Sequence, residues 1–372
     1  MKKVLVPRVR FKGFNEEWKE EKLEYIAKVT NGKSNTSDNN KWGQYNLYIR
    51  SEEIYKSNKY IFDVEGVITV GDGNIGKIFH YVNGKFDLHQ RCYLIYEFQN
   101  IWPKYFYYYF SQNFYKRAIL MSYTATVNSI RMNTITDMDI MFPKELIEQQ
   151  KIGKLLDQIS NLITLEEIKL NKLKQLKETL LQKMFPEGNS KTPRIRFKGF
   201  EGEWKEEKLE YIAKVTNGKS NTSDNNKWGQ YNLYIRSEEI YKSNKYIFDV
   251  EGVITVGDGN IGKIFHYVNG KFDLHQRCYL IYEFQNIWPK YFYYYFSQNF
   301  YKRAILMSYT ATVNSIRINT ITDMDIMFPK ELIEQQKIGD FFSKIDTLIN
   351  LYNSKLNKLK KIKEALLQKM FV

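Results

Sequence analysis

Residues 7–153 recur at 193–339, displaced by 186 positions, with four substitutions across the span: Val9/Ile195, Asn15/Glu201, Glu16/Gly202 and Met132/Ile318. A repeat of that length is no solenoid step, because such steps run about 20–50 residues. Each copy is long enough to bury a core of its own. The chain therefore folds as one domain made twice, and whatever chemistry the first copy carries the second carries too. A length of 372 residues independently suggests about two domains.

Beyond Gly153 and Gly339 the copies diverge while their apolar positions persist. In the first, Ile152, Leu156, Ile159, Ile163, Leu170, Leu173, Leu180 and Met184 alternate steps of three and four, interrupted at Glu166 and Lys177. In the second, Ile338, Phe342, Ile345, Ile349, Tyr352, Leu356, Leu359, Leu366 and Met370 do so, interrupted at Lys363. This is a heptad seam over more than four heptads. From Ile152 to Met184 it predicts a helix of about 48 Å. Neither helix buries its seam alone, so the two are expected to pair. The connector "PEGNSKTP", 186–193, is short and turn-rich, so the second helix must run back along the first. The expected fold class is α+β: two repeated mixed domains separated by a long antiparallel two-helix coiled coil, pseudo-two-fold symmetric, with both chain ends close together. The boundaries read as domain 1–144, helix 145–186, domain 187–330 and helix 331–372.

Inside the repeat, 63–70, 75–82 and 89–98 are rich in β-branched and aromatic residues and predict strands. "NGK" at 83–85 is a hairpin turn signal. Residues 102–122 predict a helix opened by Pro103, with Phe106, Phe110, Phe114 and Ala118 on one face. Residues 30–43, "TNGKSNTSDNNKWG", read as a polar loop.

The formal net charge is +14. An excess of that size favours an anionic partner, nucleic acid being the commonest; a merely soluble basic protein is the alternative. The two cysteines, Cys92 and Cys278, are one repeat position, which is no disulfide framework. The first residues, "MKKVLVPRVRFKGF", are basic without a signal-type apolar core. With no apolar run of about 18 residues, no membrane partner and a cytoplasmic location are expected.

"VGDGNIGKIFH", 70–80, spells G-x-G-x-x-G and also G-x-x-x-x-G-K. A dinucleotide fingerprint needs a helix after it and a P-loop needs Ser or Thr after the lysine. Here a strand pattern follows and Ile78 succeeds Lys77, so "GDGN" reads as a tight β-turn able to approach a DNA backbone. His80, His89 and Cys92 match no closed zinc spacing and are assigned to strands; no metal is expected. "YFYYYF", 105–110, could stack bases, but helical spacing favours core packing. "KLNKLKQLK" is either a solvated coiled-coil exterior or a face along phosphates. There is no Asn-Pro-Pro-aromatic or Asp-Pro-Pro-Tyr motif of amino-methyltransferases. Glu20-Glu21-Lys22 lacks the upstream aspartate of a nuclease cluster. A duplicated basic chain without catalytic motifs suits recognition better than catalysis, and no catalytic residue is assigned.

Base reading needs exposed polar side chains on loops. The candidates are Lys33, Ser34, Asn35, Arg50, Asn74, Lys77, His89, Gln90, Arg91, Thr126, Asn128 and Arg131. Their second copies are Lys219, Ser220, Asn221, Arg236, Asn260, Lys263, His275, Gln276, Arg277, Thr312, Asn314 and Arg317.

Three segments also carry a resemblance. "PRVRFKGFNEEWKEEKLEYIAKVTNGK", "ITVGDGNIGKI" and "DIMFPKELIEQQKIGKLLDQIS" resemble, in order, the leading segment, the mid-domain strand–turn–strand and the domain-to-helix join of specificity subunits of type I restriction–modification enzymes. All three recur in the second half, at Pro193, at Ile254 and at 325–338. The resemblance implies a non-catalytic subunit that reads a two-part site in double-stranded DNA, one half per domain, with the paired helices setting the gap. It implies two modification subunits, carrying S-adenosylmethionine and methylating adenine at N6. It also implies two restriction subunits that use ATP and magnesium, with no cofactor in this chain. Family members usually carry two different recognition domains, whereas here they are nearly identical, so the expected site is an interrupted palindrome. Lys177 and Lys363 are alternatively docking points for the modification subunits. The competing readings are a self-contained DNA-binding regulatory or structural protein and a self-contained nuclease or methyltransferase.

Overall fold

The computed structural model describes residues 5–124, 128–310 and 314–372. They form two compact units, Met1–Glu167 with Lys355–Val372, and Ile168–Ser354. The first contains β1 (Lys19–Lys22), α1 (Leu23–Ile26), β2 (Lys28–Asn31), β3 (Tyr45–Tyr48), β4 (Ile54–Ser57), β5 (Phe62–Val70), β6 (Phe79–Leu88), β7 (Cys92–Tyr96), α2 (Pro103–Leu120), β8 (Tyr123–Thr124), β9 (Asn128–Ser129), α3 (Met132–Thr136), β10 (Asp139–Phe142) and the start of α4 (Leu146–Met184). Elements β11 (Lys205–Lys208) to β20 (Asp325–Phe328), α5 (Leu209–Ile212), α6 (Pro289–Leu306), α7 (Ile318–Thr322) and α8 (Leu332–Met370) repeat the series.

The main sheet runs β2-β7-β5-β6-β3-β4, antiparallel except for β3 beside β6. Period-two alternation splits β5 between two cores. Val67 packs with Tyr93 and Ile95 toward α2, while Ile68 and Val70 pack with Phe86 and Leu94 on the opposite face. The expected face of α2 is confirmed: Phe106, Phe110, Phe114 and Ala118 are fully buried. The "YFYYYF" run is core, with Tyr105, Tyr108 and Tyr109 buried beside those phenylalanines.

The hairpin signal at 83–85 misleads. Asn83, Gly84 and Lys85 continue β6, opposite Glu65, Val64 and Asp63 of β5. The chain reverses instead between β5 and β6, at 71–78. The sheet then curls until the backbone beyond β2 meets the end of β6: Lys33 and Ser34 N–H both donate to Leu88 O at 3.0 Å. Gly32 permits that crossing, since a Cβ there would stand 2.2 Å from the Leu88 carbonyl oxygen.

Helices α4 and α8 are each 39 residues long, about 58 Å. In the first unit, Ile152 and Leu156 pack with Met370 and Phe371, and Lys355 bonds Glu166 at 2.9 Å, so the two helical segments run in opposite directions. In the second, Met184 and Phe185 pack with Ile338, Phe342 and Ile345, while Lys177 bonds Asp346 at 2.5 Å. Each domain's leading segment meets a helix end: Val9 N–H donates to Lys369 O and Ile195 N–H to Lys183 O, both at 2.9 Å. The first of these joins the two ends of the chain.

The join before α4 is built on buried polar groups. Glu148, 1% exposed, accepts two bonds from Arg10, at 2.7 and 2.8 Å. Gln149, wholly buried, accepts Trp102 N–H at 2.7 Å and donates to Asn100 O and Pro143 O. Arg196–Glu334 and Gln335–Trp288 repeat this. The Glu-Gln-Gln run thus fastens leading segment, α2 and α4 together. Among the described residues, no helix is long and apolar enough to cross a membrane.

Candidate nucleic-acid interface

The curl of the sheet brings five separate chain segments together at one edge of each domain. The backbone beyond β2 pairs at Ser34 with His89, and Gln90 N–H donates to Ser34 O at 2.8 Å. Gly71 N–H donates to Arg91 O at 2.7 Å, tying the β5–β6 turn to the β6–β7 turn. Gly73 N–H donates to Asn128 O at 2.9 Å, and Asp72 pairs with Ser129. Arg50, after β3, reaches both carboxylate oxygens of Asp72 at 3.2 Å.

Exposed on this edge are Asn35, Arg50, Asn74, Gln90, Arg91 and Asn128. Gln90 Nε2 donates to Asn35 Oδ1 at 2.6 Å, which presets both amides. A hollow of about 350 Å³ opens between Thr36, Ile49, Arg50, Ser51, Gly73 and Asn74. The second domain repeats the edge: Gln276–Asn221 at 2.5 Å, Arg236–Asp258 at 3.2 Å and Gly259–Asn314 at 2.9 Å, with Asn260 and Arg277 also exposed. Arg277 lies 3.9 Å from Asp258.

Other candidates are placed differently. Ser34 and His89, expected as exposed readers, are buried, 1% and 4% exposed, as are Ser220 and His275. Their side chains support the edge from within. Ser34 Oγ donates to Asp87 Oδ1 at 2.6 Å and Ser57 Oγ to Asp87 Oδ2 at 2.8 Å, so a fully buried carboxylate pins the curl. Ser220 and Ser243 hold Asp273 likewise. Burial, with Arg50 nearby, lowers the His89 pKa, and its Nδ1 accepts Arg91 N–H at 3.0 Å. A neutral ring thereby shapes the turn that presents Gln90 and Arg91. Lys33 and Lys219 are exposed beside the edge. Lys77 and Lys263 are exposed, each 5.5 Å from the ring of Tyr115 or Tyr301. Arg131 and Arg317 are exposed at the starts of α3 and α7. Thr126 and Thr312 lie outside the described residues.

The glycine motif is a turn. Gly76 has φ +66°, and a Cβ there would stand 2.8 Å from Tyr115 Cα, so glycine lets the turn lie against α2. The trio of His80, His89 and Cys92 is dispersed among other tasks. His80 Nε2 lies 3.0 Å from Ser51 O, and burial pushes the Cys92 thiol up to about 12. Among the described residues no three His, Cys, Asp or Glu side chains converge as metal ligands.

Sequence reasoning passed over Asp72, Asp87 and Trp42. Asp72 stood in plain view inside "GDGN", but nothing in the sequence pairs it with Arg50, 22 positions away. Asp87 sits in an apolar run whose curl is a tertiary outcome. Trp42, 86% exposed, is preceded by polar loop residues that gave no reason to single it out.

A polar, arginine-bearing edge is thus repeated on two domains. The chain belongs to the family described as type I restriction modification DNA specificity domain, matched over 15–175 and again over 201–361. It is 31% identical over 166 residues to the type I restriction enzyme EcoDI specificity subunit of Escherichia coli, covering 44% of this chain and 35% of that relative. The match thus spans about a third of the relative's length. The fold resembles that of the type I restriction–modification system S subunit from M. genitalium, with TM-score 0.78, 14% identity and 99% of each chain covered. A second solved chain, described under complex assembly and conformational transition of the type I R-M system, aligns with TM-score 0.51, 14% identity and 98% of each chain.

Proposed function

We propose that this chain is the DNA-reading subunit of a type I restriction–modification complex and directs adenine methylation and restriction to a bipartite site. The observation that carries the reading is the edge where Asn35, Arg50, Asn74, Gln90, Arg91 and Asn128 meet, repeated with the same bonds in the second domain. Arginine and the carboxamides are the side chains that read guanine and adenine bidentately in the major groove, and the net charge of +14 favours the duplex. Two nearly identical readers see the same bases on opposite strands. The site is therefore a short sequence, an unread gap set by the helices, and the reverse complement of that sequence.

Chemistry is left to partners: two modification subunits with S-adenosylmethionine, and two restriction subunits with ATP and magnesium. A place for them is suggested by a second apolar row outside the seam. Leu162 and Leu165 on α4 in the first unit, and their equivalents Leu348 and Leu351 on α8 in the second, are 45–61% exposed although the helices have diverged around them. Partner helices laid along that row would bury it. Lys177 and Lys363 are less suited to docking, because each is already engaged with an aspartate or a tyrosine of its own unit.

Modified-base sequencing of DNA from a host expressing this chain with its modification subunits tests the reading. It should return one interrupted palindrome with methylated adenines in both halves. Two unrelated half-site sequences would refute the symmetric reader, and no motif at all would refute the function.

A further inference from the structure

The indole of Trp42, and of Trp228 in the second domain, is 86% exposed, more than any other large apolar side chain described in the chain. Nothing in the edge described above uses it. Yet the backbone that carries it is held in place. Asn40 Oδ1 accepts Trp42 N–H at 3.0 Å, and Asn40 N–H donates to Lys56 O at 2.9 Å. Gly43 N–H bonds Asn40 O at 2.8 Å, and Gly43 itself lies so close to Ser57 that a Cβ would stand 2.5 Å from its backbone. The turn 40–43 is thus clamped onto β4, and it presents the indole outward. Lys41 Nζ lies 5.7 Å from the ring centre. Beside it is a polar hollow of about 560 Å³, lined by Asp38, Asn39, Asn40, Lys41, Asn58 and Lys59 among others. The second copy has the same bonds, at Asn226–Trp228 and Lys227 over Trp228.

A water-exposed indole on a fixed turn costs free energy in the unbound protein, and its surroundings say what covers it. The flanking cation of Lys41 and the carboxamides of Asn39, Asn40 and Asn58 suit sugar–phosphate oxygens, while the Asp38 carboxylate in the hollow is offset by Lys59 at 3.3 Å. The segment from Asn35 to Trp42 joins this turn directly to the reading edge and is at most about 25 Å long, so one duplex can meet both. We propose that Trp42 and Trp228 form a second DNA-binding site in each domain, flanking the half-site. There the indole packs on a deoxyribose or a base face, while Lys41 and the hollow take the adjacent phosphates. The inference rests on the DNA-reading function and adds a site outside the bases read.

The chain's other four tryptophans are buried or half-buried, so acrylamide quenching separates the two exposed ones. The complex with its modification subunits is titrated with a duplex carrying the site found by methylome sequencing. Emission is compared with that of a Trp42→Phe/Trp228→Phe complex, and the difference isolates these indoles. The duplex should shield that difference signal from acrylamide. Trp42→Ala/Trp228→Ala should weaken binding on the order of tenfold per half-site, as expected for one lost aromatic stack. It should shorten the hydroxyl-radical footprint at the flanks and leave the methylated sequence unchanged. Wild-type complex that binds the duplex while the indoles stay quenchable, with affinity and footprint unchanged in the alanine variant, overturns the inference alone. Absence of sequence-specific binding by the wild type overturns the function it rests on. Changed recognised bases would place the indoles in the reading edge and overturn the flanking assignment.

Discussion

Gln90 and Asn35 act as one unit, because the 2.6 Å bond between their amides fixes which end of Gln90 faces outward. Removing either should therefore blur the same base position. If Gln90 reads adenine, Gln90→Ala with Gln276→Ala costs about 1–3 kcal/mol per half-site. Asn35→Ala with Asn221→Ala should relax preference at that same base pair. Competition binding with duplexes substituted one base pair at a time checks this, and loss at two different positions would uncouple the residues. The histidines give a second residue-level expectation. Burial lowers the pKa of His80, His89, His266 and His275 in the folded chain. Between those lowered values and the unfolded value of about 6.5, the unfolded chain binds more protons. Stability is then full above about pH 6.5 and falls as pH drops below it. Thermal melting should shift down between pH 7 and 5.5, less so in His80→Gln/His266→Gln. Residue types announced a polar edge, but type alone does not distinguish Gln90 on the surface from His89 beneath it. That difference comes from the curl of the sheet at Gly32 and Leu88, a contact between segments more than 50 positions apart.

Elements with a strong period were legible, and so was the glycine turn at 71–76, whereas the turn signal at 83–85 misled. The seam of α4 and the phenylalanine face of α2 follow from spacing, since a helix must bury whichever stripe recurs every three or four residues. Asn83-Gly84 carries a turn composition but is held in β6 by its pairing with β5, so tertiary pairing overrode the local signal. The seam's interruptions have a structural use. Lys363 lies 5.8 Å from the ring of Tyr108, whose hydroxyl bonds Asp157 at 3.0 Å and Ser160 at 3.2 Å. In the other unit Lys177 lies 5.4 Å from the ring of Tyr294, and both Lys177 and Tyr294 bond Asp346. Asp157 and Ser160 thus correspond to Ser343 and Asp346: the acid and the hydroxyl have exchanged places one turn apart, and each tyrosine keeps a carboxylate partner. Asp157→Ser alone should destabilise the first unit, and adding Ser160→Asp should restore much of the loss. A coupling of about 0.5–3 kcal/mol is expected for residues in one network. Additive losses in denaturant melts would show that the exchange is not compensatory.

At the scale of the whole molecule, the first unit is completed by residues 355–372, contributed by the far end of the chain. Their counterparts in the first half are 169–186, and the residues that do the work are kept in kind. Lys169, Lys174, Lys177, Leu180, Met184 and Phe185 stand for Lys355, Lys360, Lys363, Leu366, Met370 and Phe371. A chain of residues 1–186 can therefore complete its unit with the same segment of a second copy. Glu166 interrupts the apolar seam of α4. In the unit it bonds Lys355 at 2.9 Å, and Glu167 bonds Lys360 at 2.7 Å, so a symmetric pair of first halves would form both bonds twice. Residues 187–372 have Tyr352 and Asn353 at those positions and form neither. The two Glu167 pairs are surface pairs worth roughly 0.2–1 kcal/mol each, and the two Glu166 pairs compensate a carboxylate only 3% exposed, so the first half-chain is expected to pair more tightly than the second. Both half-chains associate less tightly than the continuous chain, whose connection supplies a high effective concentration. Sedimentation equilibrium of each half-chain measures the difference directly. Dimers of 1–186 that persist at concentrations where 187–372 has dissociated are the expected result, and Glu166→Gln/Glu167→Gln should bring the two together. Equal or reversed affinities would mean that the acids on α4 contribute nothing to pairing and that the apolar seam alone decides it.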